Sequence, residues 1–470
     1  MVIDSKPRLR ETTQEVAGGF FIFAGFLFLL QVIFGLVGAM YFLWPNLPIP
    51  LNFNIIRMLH INALIIWLLA GFMGATYYLL KEEAGGRLYS ERLARWNLWL
   101  FCIGTFLIVA GYLYMGLSGN YSLLFSEGRE YIEAPRWADV YIVAVFVLFL
   151  FNTLMTIYKH TQRDAITGLL AVGLIALAFF YLFGMKFFKN MSLDFYFWWW
   201  VVHLWVEGCW ELIAASLYAL LAIRLFGFPR QRAIKYLYIE AGLVVFTGIL
   251  GMGHHYYWIG TPEYWFLLGG FFSALEPVPL FIMVLDSLRL AFRDRRLNHP
   301  NLLAQYWLVG SVIIHFLGAG VWGFAQTLPQ VNRWTHGTQF TAAHAHIAFF
   351  GAYAMLIIAC AYYALPRWRF GEDNFDQKRG FYSFLLMVVG VIGMTVALTC
   401  AGIIQVFMER LWGLPFLRVQ GYMSFFYLMR FVFGLLTVAG VGLFFIDLLM
   451  PKARTHTEES CPGHLVQEDT

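Results

Sequence analysis

A chain of 470 residues is long enough for two or three soluble domains, yet 60% of it is apolar, 19% aromatic and only 13% charged, with a mean hydropathy of +0.66. Soluble domains run nearer half apolar and a quarter charged, so this composition excludes ordinary soluble folds, disordered chains, solenoids and disulfide scaffolds and leaves a polytopic membrane protein. The formal charge of +4 comes from 32 basic and 28 acidic residues gathered in short loops, which bears on orientation in a bilayer and carries no nucleic-acid signal.

A membrane span needs about 20 mostly apolar residues to cross roughly 30 Å of hydrocarbon. Twelve stretches qualify, near 17–43, 54–80, 95–117, 138–157, 166–188, 196–225, 234–258, 262–291, 304–328, 336–365, 380–408 and 420–450. The first is too long for the apolar region of a signal peptide, and no small-residue cleavage site follows it, so it reads as a retained helix. The expected fold is all-α: one twelve-helix transmembrane domain over 17–450, with polar tails at 1–16 and 451–470. If the amino terminus lies inside, the two tails and the even-numbered connections share one side and carry most of the 32 Lys and Arg. The positive-inside rule then puts both termini in the cytoplasm. The first connection, Trp44-Pro-Asn-Leu-Pro-Ile-Pro50, has no charge and belongs outside.

Of twelve histidines, His160, His299, His456 and His464 fall in inner loops or tails. His60 lies on the second span, His203 on the sixth, His254 and His255 on the seventh, and His344 and His346 on the tenth. These six share the outer half, at depths differing by about 10 Å. Polar residues in hydrocarbon are costly, and convergence from four helices on one stratum is what a metal centre requires. His315, alone near the middle of the ninth span, and His336, at the mouth of the tenth, read as ordinary polar residues. His344 and His346 are two apart, so their side chains point about 200° apart around the helix and suit two different metals, with His60 facing one of them. His203, Glu207 and Glu211 repeat every four residues and rise on one face, so His203 and Glu207 reach one ion. The His254-His255 pair supplies further nitrogens if the helix is distorted there.

In this order on these helices, the histidines resemble those of the large subunit of the haem-copper oxidase superfamily, and the resemblance spans nearly the whole chain. It implies a low-spin haem b between His60 and His346, a high-spin haem b3 on His344, and a non-haem metal on His203, His254 and His255. Main-branch oxygen reductases have a tyrosine four residues after the sixth-span histidine, where this sequence has Glu207. A carboxylate is a hard donor that suits iron better than copper. With Glu211, and Glu276 in Ala274-Leu-Glu-Pro-Val-Pro279, the sequence looks like the cytochrome-c-dependent nitric oxide reductase branch. The quinol-dependent relatives carry a long amino-terminal extension that is not found here.

The resemblance implies reduction of two NO to N2O and water, with Glu207 as fourth ligand of a non-haem iron and Glu211 and Glu276 delivering protons. Electrons are expected from a membrane-anchored cytochrome c small subunit, itself served by a soluble donor. The five cysteines are scattered and no C-x-x-C-H is present, so a c-type haem must come from that partner. The resemblance also implies a calcium on one glutamate of the outer loop Glu127-Gly-Arg-Glu-Tyr-Ile-Glu133, with Glu130 and then Glu133 as the candidates. Arg57, one turn outward of His60, is a candidate partner for a haem propionate. The alternative is an oxygen-reducing oxidase of the same superfamily with copper in the non-haem site. Gly71 and Gly74 are expected to permit close helix packing, and Phe197-Trp-Trp-Trp200 to form an aromatic belt and cavity lining without a ligand role.

Overall fold

The computed structural model describes residues 12–273, 277–294, 300–369 and 374–453. Among them are twelve helices long and apolar enough to cross a membrane, and no β-structure beyond two isolated bridges. In chain order they are α1 (Gln14–Leu43), α2 (Phe53–Glu83), α3 (Glu91–Ser118), α4 (Arg136–His160), α5 (Ala165–Gly184), α6 (Met191–Phe226), α7 (Arg230–His255), α8 (Tyr264–Arg293), α9 (Leu302–Thr327), α10 (Gln339–Arg369), α11 (Lys378–Leu411) and α12 (Ser424–Leu449). The expected all-α, twelve-span architecture is present, with helix ends moved by a few residues. The amino-terminal helix already begins at Thr12, inside the stretch expected to be tail. His299, His456, His464 and Cys461 lie outside the described residues.

Local chemistry sets the helix ends. Asn52, Ser90, Asn190 and Asn301 each accept a hydrogen bond from a first-turn backbone N–H, and Asp164 with Thr167 forms a reciprocal capping box at the start of α5. Gly119 and Gly227 take the left-handed conformation that closes α3 and α6. Helices apolar on every side need no single buried stripe, because lipid and protein accept the same surface.

α6 and α10 are the innermost helices, with 83% and 89% of their most apolar stretch buried, against 28% for α3 and α4. These two central rods carry His203, Glu207, Glu211, His344 and His346. Among the described residues, stretches of widened, π-type winding interrupt four of the spans: Leu204–Trp210 in α6, Phe316–Gly323 in α9, Phe350–Ala354 in α10 and Val406–Leu411 in α11. Widened turns are uncommon and gather at functional sites, since they re-aim side chains and free carbonyls.

At the end opposite the six clustered histidines, ion pairs lock the bundle. Glu83 pairs with Arg224 at 2.8 Å and Arg230 at 2.6 Å, Arg230 also reaches Asp164 at 2.7 Å, and Glu82 pairs with Arg367 at 2.7 Å. Small residues set the close crossings. A side chain at Gly71 would strike Ile357, and one at Gly74 would press on Phe20 and the Ala17 carbonyl, in line with the packing role expected of both. Gly402 lies against the backbone of Phe340, one turn before His344. Alanine at Gly402 should force α10 and α11 apart and cost about 1–3 kcal/mol. The check is a lower thermal midpoint in detergent than that of the unaltered protein.

Candidate metal and cofactor site

His203 ends the regular first part of α6, and the widened turn that follows it places Glu207 back beside the ring. Nδ1 of His203 lies 3.3 Å from Oε2 of Glu207. On α7 the helix tightens into a 3-10 turn over Gly251–His255, the distortion the adjacent histidine pair demanded. Glycines make this turn possible, since a side chain at Gly253 would overlap the Trp265 carbonyl and one at Gly269 the His254 backbone. Nε2 of His254 lies 3.4 Å and Nε2 of His255 3.0 Å from the Glu207 carboxylate. One carboxylate thus touches three imidazoles, and the four ligand atoms lie within 4.8 Å of one another. Ligand atoms about 2.1 Å from a tetrahedral ion are about 3.5 Å apart, so a modest contraction closes the set.

Hydrogen bonds at the far side of each ring decide which nitrogen is free. A carbonyl can only accept, so Nε2 of His203 donates to Thr247 O at 3.1 Å and its lone pair sits on Nδ1. That Nδ1 is buried without a hydrogen-bond partner. Nδ1 of His254 lies 2.6 Å from Ser273 Oγ, which itself donates toward Gly251 O at 3.5 Å, so Nε2 of His254 is the free atom. His255 is held by stacking on Trp199, with ring centroids 5.4 Å apart and 7° between planes. Trp199 therefore positions a site residue, a role the aromatic run did not reveal.

A second pair faces across the bundle. The His60 and His346 rings have centroids 6.2 Å apart and 30° between planes. An imidazole nitrogen about 2 Å from a metal puts its ring centroid about 3 Å from it, so two rings sharing one ion have centroids about 6 Å apart. Their Nδ1 atoms donate to Gln31 O at 2.8 Å and Ala342 O at 2.7 Å, leaving both Nε2 atoms free, the arrangement in which an outer hydrogen bond orients a ligand. His344 donates from Nδ1 to Gly318 O at 3.1 Å, a carbonyl in the widened turn of α9. His60, His344 and His346 are all half-buried. His346 faces His60, and His344, two residues before it on α10, points to the other side of the helix.

Glu211 is buried deeper in α6. Its carboxylate lies 3.2 Å from the Tyr353 hydroxyl and 3.5 Å from Nε2 of His315. His315, an isolated polar residue along the chain, thus belongs to the Glu211 environment. Glu240, the lone acid of α7, is buried with neither oxygen hydrogen-bonded. Its only sequence signal was a carboxylate inside an apolar run. Glu276 lies outside the described residues.

The loop glutamates separate. Glu127 pairs with Arg136 at 2.9 Å, Glu130 with Arg57, and Glu133 accepts from Asn62 Nδ2 at 2.8 Å. Burial pushes the Glu133 carboxyl up to about 7, with Asn62 and Arg57 pulling against it. Arg57 is thus bound to the calcium candidate Glu130. His336 stays apart from the cluster: its carbonyl accepts from Arg410 at 3.2 Å.

Residues 15–436 match the family described as Cytochrome C and Quinol oxidase polypeptide I. The chain belongs to that family. Its members bind haem and a metal at a dinuclear centre, are multi-pass membrane oxidoreductases and work as subunits of respiratory complexes. The chain is 42% identical to a nitric oxide reductase subunit of Stutzerimonas stutzeri, over 93% of its own length and 94% of that protein. It is 25% identical to "Cytochrome c oxidase subunit 1 homolog, bacteroid" of Bradyrhizobium diazoefficiens, over 88% and 77% of the two chains. To "Cbb3-type cytochrome c oxidase subunit CcoN1" of Stutzerimonas stutzeri it is 23% identical, over 81% and 83%.

The family's centre fits what these residues offer: an orphaned buried nitrogen, a carboxylate within reach of three imidazoles, and two rings spaced for one ion. A divalent transition-metal ion added to chelator-stripped protein should raise its thermal midpoint, by about 2.7 kcal/mol of stability at a hundredfold excess over Kd. His203→Ala and Glu207→Ala should each remove most of that gain, measured as the midpoint shift on metal addition.

Proposed function

We propose that this chain is the catalytic subunit of a bacterial cytochrome-c-dependent nitric oxide reductase, carrying out 2 NO + 2 e⁻ + 2 H⁺ → N2O + H2O. The observation that carries the reading is Glu207, a carboxylate lying 3.0 to 3.4 Å from three imidazoles. The 42% identity to a protein named as part of a nitric oxide reductase supports it.

In this reading His203, His254, His255 and Glu207 hold a non-haem iron, His344 a high-spin haem b3, and His60 with His346 a low-spin haem b. An anionic oxygen donor beside three nitrogens favours iron over copper. When bound, the haem b3 and the non-haem iron would supply the electrons that reduce two NO molecules. His60 and His346 would together hold the low-spin haem, whose chemistry there would be electron transfer. The carbonyls of Gln31, Ala342, Gly318 and Thr247 keep the four rings from turning away. Glu211, one turn deeper than Glu207, receives and releases protons at its carboxylate, with the Tyr353 hydroxyl and His315 as its neighbours. Glu276 has the same duty.

Both termini are assigned to the cytoplasm, the centre to the periplasmic half of the inner membrane, and the protons to the periplasmic side, without pumping. Glu130 and Glu133 are assigned to a calcium ion beside the membrane-anchored cytochrome c small subunit, which a soluble donor reduces.

Metal and haem analysis of the purified complex should find two b haems and one non-haem iron for each copy of this chain. Copper in place of that iron, with O2 reduction exceeding NO reduction, would support the oxidase alternative instead. Glu207→Ala should lower NO consumption with reduced cytochrome c at least a hundredfold while leaving the low-spin haem spectrum in place. Undiminished turnover would refute the assigned role. Chelating calcium should lower the thermal midpoint of the complex, and Glu130→Gln should abolish that response. In sealed vesicles, proton uptake from the cytoplasmic face during turnover would overturn the assigned proton side.

A further inference from the structure

Glu240 has no exposed surface, and among the described residues neither of its carboxylate oxygens is hydrogen-bonded. The function proposed above gives it no part. Its direction follows from the helix that carries it. Seven residues separate Glu240 from Thr247, two turns less about 20° of rotation, so both side chains lie on one face of α7. That face is packed against α6. The Thr247 carbonyl accepts from His203, a side chain at Gly248 would press on Leu204, and one at Gly251 would lie 3.7 Å from the His203 ring.

The two helices run in opposite directions, so their residues can be matched by depth. Glu240 lies about 10 Å further into the membrane than Thr247, and Glu211 about 12 Å further in than His203, which Thr247 touches. The two acids therefore stand at one level on facing helices. Glu211 turns one oxygen to the Tyr353 hydroxyl, while its Oε1, 3.5 Å from Nε2 of His315, has no hydrogen bond among the described residues. Other ionisable groups on the helices packed against α7 are committed elsewhere. Glu207 lies among three imidazoles. On α8, Asp286 pairs with Arg232 at 2.8 Å and accepts from the Tyr236 hydroxyl at 3.1 Å. On α5, Tyr181 donates to Asp139 at 2.8 Å. A carboxylate this deep and without a partner is costly, and an acid inside a membrane span is rarely idle. Glu240 therefore rests as the neutral acid, with one proton in store.

We propose that Glu240 is a proton store for Glu211, exchanging one proton with that carboxylate so that the pair holds both protons consumed in a turnover. This rests on the reading above in which Glu211 passes protons to the centre. Reduction of two NO to N2O and water takes up two protons, and one carboxyl carries only one. Once Glu211 has released its proton, the O–H bond of Glu240 breaks and the proton passes, through a bridging water, to the Glu211 carboxylate. Orphaned oxygens on both acids offer such a water its partners. Glu240 is left as a carboxylate until a proton from the outer solvent returns through Glu211. No electron moves in this exchange, and Glu240 touches neither substrate nor metal.

The test compares the unaltered complex with Glu240→Gln and Glu240→Asp. In the unaltered complex, fully reduced and mixed with NO, spectral oxidation should run ahead of proton uptake from solution as reported by a pH dye. Glutamine keeps the size of the side chain and removes its acidic proton, so oxidation and uptake should then coincide. Oxidation should also slow about tenfold, short of the hundredfold or more lost with a group that itself protonates the reacting atoms. Aspartate should restore the lead. Coincident oxidation and uptake in the unaltered complex, or an undiminished lead in the glutamine variant, would overturn the proposal. Infrared difference spectra between oxidised and reduced complex give a readout that packing alone does not move. A carboxylic-acid C=O band should be present in the unaltered protein, absent with glutamine and shifted with aspartate, whereas one unchanged set of bands in all three would overturn the assignment. Should the glutamine variant not assemble, the aspartate variant decides by the same band: a shift supports the store, and no shift overturns it. If the unaltered complex consumes no NO, the enzyme assignment falls, while the infrared comparison still decides the fate of Glu240.

Discussion

An imidazole is useful to a metal only if its free nitrogen is aimed, and in a bilayer interior nothing but protein can aim it. The site depends on that constraint. Thr247, Gln31, Gly318 and Ala342 each present a backbone carbonyl to a histidine N–H, which fixes the ring and leaves the opposite nitrogen open. Ordinary helix carbonyls are committed to the i→i+4 ladder, so an extra acceptor must come from a second lone pair or a locally loosened turn. The widened turn holding Gly318 and the tight turn holding His254 and His255 supply such irregularity where the site needs it.

Glu207 ties the geometry to the chemistry. Placed among three imidazoles, it makes one compact set from two helices that run in opposite directions, α6 and α7. Glu211 and Glu240 extend acidic character from this set into the buried interior, with His315 and Tyr353 as the residues that meet Glu211. A carboxyl is stable at such depth only as a neutral acid or against a compensating charge. Arg57 satisfies its charge with Glu130 in the loop.

Much of this was legible along the chain. The twelve apolar runs locate the spans because every backbone group must be satisfied within its own segment. His60, His203, His254, His255, His344 and His346 could be placed at one depth by counting rise per residue, and the i,i+4 spacing linked His203 to Glu207. His315 stands alone in its apolar run, and nothing along the chain shows that α9 turns that face toward Glu211 on α6. Glu240 and Trp199 escaped for the same reason: each is unremarkable in its own helix and acquires a role from what another helix sets against it. The sequence puts Glu130 before Glu133 in the outer loop but shows no partner for either, and the fold gives Glu127 to Arg136, Glu130 to Arg57 and Glu133 to Asn62.

By itself the sequence determined the number of membrane crossings, their alternation and the level at which imidazoles gather, because these follow from hydrophobic length and helical rise, properties local to each segment. The tertiary structure decided which nitrogen of each histidine is open and which carboxylate reaches three rings at once. Those outcomes depend on rotation of one rod against another, and rotation is set by side-chain packing among all twelve.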